Sequence, residues 1–358
     1  MTSGRAPRFQ PRFDPPLAGT DGRTDGRTDV VDHSSSCQPD AGGGSSRCGE
    51  QRGRRRGTDR VRDLVELVRA PAALSVVGDS LAGLAAARAA APVPLRARHA
   101  LLPVASACLY LGGMALNDYA DRHVDATERP ERPVPSGRVT PGGALTVGAA
   151  LTAGGIAAAG LAGGRRALAV ALPLAACVWT YDLVAKDHPT GPFVMAACRG
   201  LDVLLGATPG PVRSALPAAA GLTAHTLGVT VLSRGEVHGT TRPVAGGVAA
   251  GTVAGAVAAA VTAPATTTRT ARWTAAAAAA AYAAAALPGQ VRAAAEPTAA
   301  HARTATRSGI QAMVPLQAAW AARAGGLGTT ALLAGVAAAG YGLRLLGRAR
   351  RRAGVSIT

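Results

Sequence analysis

The sequence predicts an all-α, polytopic membrane protein with about nine transmembrane helices, and three observations carry that expectation. From residue 70 onward, charges only punctuate long runs that contain no Asp, Glu, Lys or Arg: 100–117, 139–164, 167–181, 214–233, 244–268, 273–291 and 324–343. A hydrocarbon core roughly 30 Å thick needs about 20 mostly apolar residues in a helix, and most of these runs reach that length while being too long for strands. The remaining carboxylates are bunched: of eleven after residue 70, five (Asp118, Asp121, Asp125, Glu128 and Glu131) fall within fourteen residues. A soluble Ala-rich bundle would need a polar face at period 3.6, and neither 139–164 nor 244–268 supplies a charged one.

Taken in order, the charges mark out the spans. The first, about 71–91, is interrupted by Asp79 and Arg88, and the second, 100–116, runs uncharged up to the acidic cluster. Arg165-Arg166 lies where the third, 142–162, gives way to the fourth, 166–181, which stops at Asp182. The fifth, 193–211, carries Arg199 and Asp202, three apart and so able to pair on one helix. The sixth, 215–232, lies between Arg213 and Arg234, the seventh is 244–263, the eighth 272–288 and the ninth 324–345. Residues 305–320 are expected as an extra helix at the interface or dipping into the membrane, with a tenth crossing near 305–322 as the alternative. Lys and Arg favour the cytoplasmic side, which places there the N-terminal segment and the loops 118–138, 182–189, 234–242 and 289–309; the shorter loops fall opposite. Nine spans leave the arginines of 348–352 outside, and a tenth crossing would bring them back. The expected location is the cell membrane, a bacterial inner membrane, with the acidic cluster toward the cytoplasm.

The 358 residues carry a formal charge of +17, as 37 Arg against a single lysine, Lys186. Ala and Gly dominate, as GC-rich codon usage produces, and no basic patch interleaved with aromatic residues accompanies the charge. No nucleic-acid partner is therefore expected. Residues 1–60 are too poor in aliphatic side chains to offset ordering entropy, so a disordered cytoplasmic segment is expected, without the apolar core of a secretory signal. Residues 61–347 make up the membrane domain and 348–358 a basic tail. The five cysteines show no metal-like spacing and read as reduced thiols.

On a helix, Asn117, Asp121 and Asp125 recur at i, i+4 and i+8, with Asp118 beside them. Carboxylates stacked this way repel one another unless a hard cation sits among them, and Mg²⁺ characteristically joins carboxylates to a substrate's phosphates. The pattern Asn117-Asp118-x-x-Asp121-x-x-x-Asp125, followed by Arg132-Pro133-x-Pro135-Ser136-Gly137, resembles the first signature of the UbiA superfamily of intramembrane prenyltransferases. Tyr181-Asp182-Leu183-Val184-Ala185-Lys186 is similar to that family's Tyr-x-x-x-x-Lys loop, and the segment from Cys198 to Gly206 resembles a branch found in bacterial Ebo-type gene clusters. Spans and motifs together cover about residues 64–346. The resemblance implies a bundle around a central cavity, an allylic prenyl diphosphate as donor, a hydrophobic or aromatic acceptor, and Mg²⁺ held between two acidic motifs. The second motif departs from the family's Asp-x-x-x-Asp: in Ser233-Arg234-Gly235-Glu236-Val237-His238-Gly239 only Glu236 is acidic.

What the resemblance implies for individual residues follows. Asn117, Asp121 and Asp125 would hold metal, with Asp118 either a ligand or a support to one, and Glu236 would serve a second metal, helped by His238 or Ser233. Asp121, Asp125 and Lys186 are the expected catalytic groups. Lys186 and Arg132 or Arg138 are expected diphosphate clamps, with Tyr181, Arg199 and Arg234 as further contacts; Arg suits bidentate phosphate binding and Lys acts as a point charge. Ionisation of an allylic diphosphate builds a carbocation that an apolar cavity shields from water, and Tyr119, Trp179, Tyr181 and Phe193 are the aromatic faces expected nearby. His225 is expected as a buried hydrogen-bonding residue. Two rivals remain. A CDP-alcohol phosphatidyltransferase also spaces aspartates on membrane helices, but its upstream Asp-Gly and Ala-Arg are missing here. A non-catalytic protein that binds or transports isoprenoid lipid is favoured by the thinned 233–239 loop.

Overall fold

The computed structural model describes residues 60–69, 74–91, 93–94, 96–261, 267–335 and 338. The expected disordered segment, up to residue 59, and the basic tail 348–358 lie outside the described residues. Among the described residues there is no strand, and the helices in chain order are α1 (60–67), α2 (Leu74–Ala90), α3 (Leu101–Ala120), α4 (Arg122–Glu128), α5 (Pro141–Thr180), α6 (Gly191–Gly206), α7 (Leu216–Ser233), α8 (Arg242–Val261), α9 (Arg269–Ala295), α10 (Ala299–Arg323) and α11 (327–335).

Local chemistry explains several of the ends. Thr140 caps α5 by accepting from the Gly143 amide at 3.1 Å, with Pro141 in the first turn where its missing N–H costs nothing. Thr268 and Thr298 cap α9 and α10 in the same way. Within α5, Gly164 adopts φ 61°, ψ −144°, a conformation open essentially to glycine alone. The chain reverses there. The indole N–H of Trp179 donates to the Thr152 hydroxyl at 3.1 Å although 27 residues separate them, and a straight helix would hold them about 40 Å apart. α5 is thus a hairpin of two limbs, as the separate spans 142–162 and 166–181 anticipate.

Each helix packs on the next, α2 on α3, α3 on α5, α5 on α6 and so on to α10, and α10 returns to α2, closing a ring. α6 also crosses to α2, where backbones touch: a Cβ on Gly83 would lie 1.9 Å from the Val203 carbonyl oxygen, and one on Gly206 equally close to that of Ser80. Such small-residue contacts let helices approach without a hydrophobic drive from water. The largest buried cluster joins α2, α6, α7, α8, α9 and α10 around Tyr282, Met313, Leu316 and Trp320. A second one lies between α3, the two limbs of α5 and α6.

Four stretches among the described residues are long and apolar enough to cross a membrane: Ala97–Ala120, Pro141–Ala185, Val212–Ser233 and Arg242–Val261. With the hairpin counted as two limbs, they coincide with five of the expected spans. The expected accessory helix at 305–320 is instead part of the 25-residue α10, which packs against α2, α7, α8 and α9 and buries thirteen residues. Buried alanines, Gly309 and Leu316 along α10 fit it between its neighbours, whereas its low apolar content hides it from hydropathy. α10 therefore joins the ring, and α11 begins where the ninth span was placed.

The loops after α3, α5, α7 and α9 gather at one end, hereafter the mouth. Lys186 pairs with Asp121, Arg234 donates to the His188 carbonyl, and the Thr240 amide donates to the Pro297 carbonyl at 3.1 Å.

Candidate active site

α3 sends Ser106, Leu109, Tyr110, Gly113 and Met114 toward one cavity at the three-and-four spacing of a helix face, and the same stripe continues to Asn117 and Asp121 at the mouth. The helix relaxes at Asp121 (φ −83°, ψ 0°) without losing its ladder: the Asp121 amide donates to Asn117 at 2.9 Å and the Asp125 amide to Asp121 at 2.8 Å. Opposite, the end of α5 widens over Tyr181–Ala185 into a π-type turn, in which the Lys186 amide reaches the Tyr181 carbonyl at 2.9 Å. Widened turns of this kind recur at functional sites because they re-aim side chains. Here Tyr181 and Asp182 face the cavity, and Lys186 sits on Asp121.

The acidic cluster divides into two sets. On the cavity side, the Asn117 amide donates to Asp182 at 3.5 Å and Lys186 pairs with Asp121. On the other side, Arg132 bridges Asp125 at 2.5 Å and Asp118 at 3.6 Å, Arg69 reaches Asp118 at 2.8 Å, and Arg129 approaches Asp125 at 3.7 Å. The expected shared face of Asn117, Asp121 and Asp125 is corrected accordingly. At 3.6 residues per turn, an i, i+7 pair such as Asp118 and Asp125 returns to one face, whereas i, i+8 drifts by about 80°.

Other expected contacts land elsewhere. Arg138 is committed to Asp63 at 2.6 Å and Glu66 at 2.8 Å, outside the cavity lining. Those hydrogen bonds hold the Glu66 carboxyl below its ordinary range and the Arg138 guanidinium above its own. Arg199 lines the cavity, but two turns into α6; its partner is Asp79 of α2 at 2.6 Å, not Asp202. Arg234 hydrogen-bonds the His188 carbonyl beside the Lys186 loop. The backbone carbonyl of Glu236 accepts from Arg303 of α10 at 2.5 Å, and no hydrogen bond or ion pair joins its carboxylate to the acidic cluster among the described residues. Of the four aromatic faces only Tyr181 lines the cavity: Tyr119 stacks under Arg122, Trp179 bonds Thr152, and Phe193 is exposed. His225 has the expected role, accepting from the Tyr282 hydroxyl at 2.9 Å and bonding the Gly309 carbonyl at 3.0 Å.

Asp182, Arg69 and Tyr110 are site residues that sequence reasoning passed over. Asp182 is 3% exposed and had a signal, standing four residues before Lys186 on one helical face. Arg69 had none, since it meets Asp118 across 49 residues. Among the described residues no three Asp, Glu, His or Cys side chains converge tightly enough to ligate a metal together. The donors at the mouth are nonetheless all hard oxygens, and the ammonium seated on Asp121 marks where positive charge is favourable. Asn117, Asp121 and Asp182 therefore fit a divalent cation; Asp118 and Asp125 are already neutralised by arginines.

A family model described as the UbiA prenyltransferase family matches residues 79–306, more than half of the chain. The chain belongs to the UbiA prenyltransferase family. UbiA relatives include digeranylgeranylglyceryl phosphate synthase of Methanopyrus kandleri, 44% identical over 85 residues, which cover 22% of this chain and 28% of that protein. The enzyme of the same description from Ignicoccus hospitalis is 39% identical over 80 residues, covering 22% and 25%. The match thus spans little more than a quarter of these curated relatives. Two UbiA-fold structures are similar over most of their length. One, of digeranylgeranylglyceryl phosphate synthase in membranes, has 16% identity and a TM-score of 0.55 over 74% of this chain and 98% of that one. The other, a UbiA homolog from Archaeoglobus fulgidus bound to GPP and Mg²⁺, has 13% identity and a TM-score of 0.54 over 75% and 99%. UbiA proteins are integral membrane proteins, in keeping with the apolar helices of this chain.

Proposed function

We propose that this chain transfers a prenyl group from an allylic isoprenyl diphosphate to an acceptor bound in the same cavity, within the membrane and with Mg²⁺. One observation carries the reading: a single cavity between α2, α3, α5 and α6 joins a mouth of Asp182 and Tyr181 to walls of Val76, Leu109, Leu174 and Val178. Such a space takes a molecule that is ionic at one end and apolar along its length. The names of the similar proteins, among them a homolog bound to GPP and Mg²⁺, support it.

Each group then has a task. Asn117, Asp121 and Asp182 would hold Mg²⁺, which when bound supplies the charge that neutralises a departing diphosphate. Lys186 exchanges Asp121 for a phosphate oxygen as the substrate arrives, adding a cation where negative charge develops. Arg132 and Arg69 clamp Asp118 and Asp125 and so hold the α3–α4 junction in place. Arg234, in the loop after α7 and bonded to the His188 carbonyl, stands in for the acidic motif that Glu236 only thinly preserves. The apolar walls exclude water while the C1–oxygen bond of the donor breaks and the acceptor's bond to C1 forms. On this reading the mouth faces the cytoplasm.

The test uses the full chain in lipid nanodiscs with radiolabelled geranyl diphosphate, reading pyrophosphate release and prenylated product. Release that needs Mg²⁺, stops with EDTA and is lost in Asp121→Ala and Asp182→Ala supports the proposal; activity retained in both variants overturns the site. Tight binding of geranyl diphosphate without release would favour the non-catalytic, isoprenoid-binding reading that the single carboxylate of the 233–239 loop supports.

A further inference from the structure

The cavity has a second polar end. Ser106 stands eleven residues before Asn117 on α3, and Asp202 eleven after Gly191 on α6, so both lie about 16 Å below the mouth. There the Ser106 hydroxyl donates to Oδ1 of Asp202. Asp202 is 3% exposed and lines the cavity, yet its Oδ2 has no hydrogen-bond partner. The nearby guanidinium is already matched: Asp79 takes Arg199 on Oδ2 at 2.6 Å and the Gln317 amide on Oδ1 at 2.7 Å. Two carboxylates thus face one arginine, and the surplus oxygen is left without a partner on a residue that lines the cavity. A buried acceptor without a donor costs free energy that a ligand can recover, and a ligand carrying its own carboxylate would add a second anion in a low dielectric.

We infer that Asp202 positions the acceptor substrate by accepting a hydrogen bond from a hydroxyl at its far end. The acceptor is then a neutral molecule with a nucleophile at one end and a hydroxyl at the other, not an acid anchored by its carboxylate. This rests on the prenyl-transfer reading, and it makes Asp202 a positioning residue: the depth of the cavity keeps it away from the reacting carbon.

Three aromatic probes that differ at one end test the inference by calorimetric titration of the full chain in detergent: phenol, toluene and benzoate. Wild type is expected to bind phenol at least tenfold more tightly than either other probe. In Asp202→Asn, whose amide can donate to a carboxylate, the preference for phenol over benzoate should shrink at least tenfold, while the melting temperature stays unchanged. The inference is overturned by a wild type that binds benzoate as tightly as phenol or binds none of the probes. A variant whose preference does not move overturns it as well. Absence of pyrophosphate release in wild type would count against prenyl transfer alone, because the binding comparison needs no turnover.

Discussion

Lys186 is the chain's only lysine, in a composition that otherwise writes arginine, and its ammonium rests on the carboxylate of Asp121. A point charge on a flexible stem can leave that carboxylate for a phosphate more readily than a forked guanidinium held at several points. Lys186→Ala is therefore expected to raise KM for geranyl diphosphate about tenfold, the worth of one charge-assisted hydrogen bond, and to leave acceptor affinity unchanged. Steady-state kinetics with each substrate varied in turn checks this, and equal effects on both would remove the clamp role. At this scale the acidic motif and Lys186 could be singled out from the sequence, because spacing along one helix is local information. The partners of those side chains could not. Asp118 is held by an arginine 49 residues away, and Asp182 was hidden inside a motif read only for its tyrosine and lysine.

Two glycines separate the ways in which an element depends on the absence of a Cβ. Gly164 has nothing within 4 Å of a built Cβ, so Gly164→Ala costs only conformation, about 1–3 kcal/mol for a residue outside the allowed regions. Gly206 lies in ordinary helix, but its Cβ would meet the Ser80 carbonyl oxygen at 1.9 Å, so Gly206→Ala must push α2 and α6 apart. Both variants should melt at lower temperature in detergent. Only Gly206→Ala should also impair prenyl transfer in the protein that remains folded, since α2 and α6 wall the cavity. A second element-scale device ties α1 to the loop after α4 through Arg138, Asp63 and Glu66. The Glu66 carboxyl is depressed mainly by its hydrogen bond from Arg138, so this contribution is full above the unfolded carboxylate's pKa and fades as pH falls through the lower folded value. The melting difference between wild type and Glu66→Gln should be small, present at neutral pH, and gone in acid; a difference that grows on acidification contradicts the assignment.

Across the whole molecule, the ring is closed by contacts between helices far apart in the chain. Arg199 on α6 meets Asp79 on α2 across 120 residues, and Gln317 on α10 reaches the same carboxylate across 238. Asp79 is fully buried, so Arg199→Ala strands a charge and should cost about 3–5 kcal/mol, whereas Arg138→Ala breaks only exposed pairs worth roughly 0–1 kcal/mol. Thermal melts of the two variants in the same detergent give the comparison, and equal losses would mean that the buried pair does not hold the closure. The result also bears on the cavity, because Arg199 is paired with Asp79 while Oδ2 of Asp202 has no partner.

What the sequence by itself determined is local: helices where charges are sparse, a reversal near Arg165-Arg166, and an acidic cluster at the end of the second span. Hydropathy and the 3.6 period report on neighbours along the chain, so these could be read without a partner in view. Tertiary structure decided what depends on distant partners. It put α10 inside the ring although its sequence is barely apolar, and it split the acidic cluster between a cavity side and an arginine side. It also gave Arg199 to Asp79 when a nearer carboxylate stood three residues away. The physical reason is common to all three. Burial and charge pairing are set by what packing brings alongside, and in a ring closed by its first and last long helices those neighbours lie far off in the sequence.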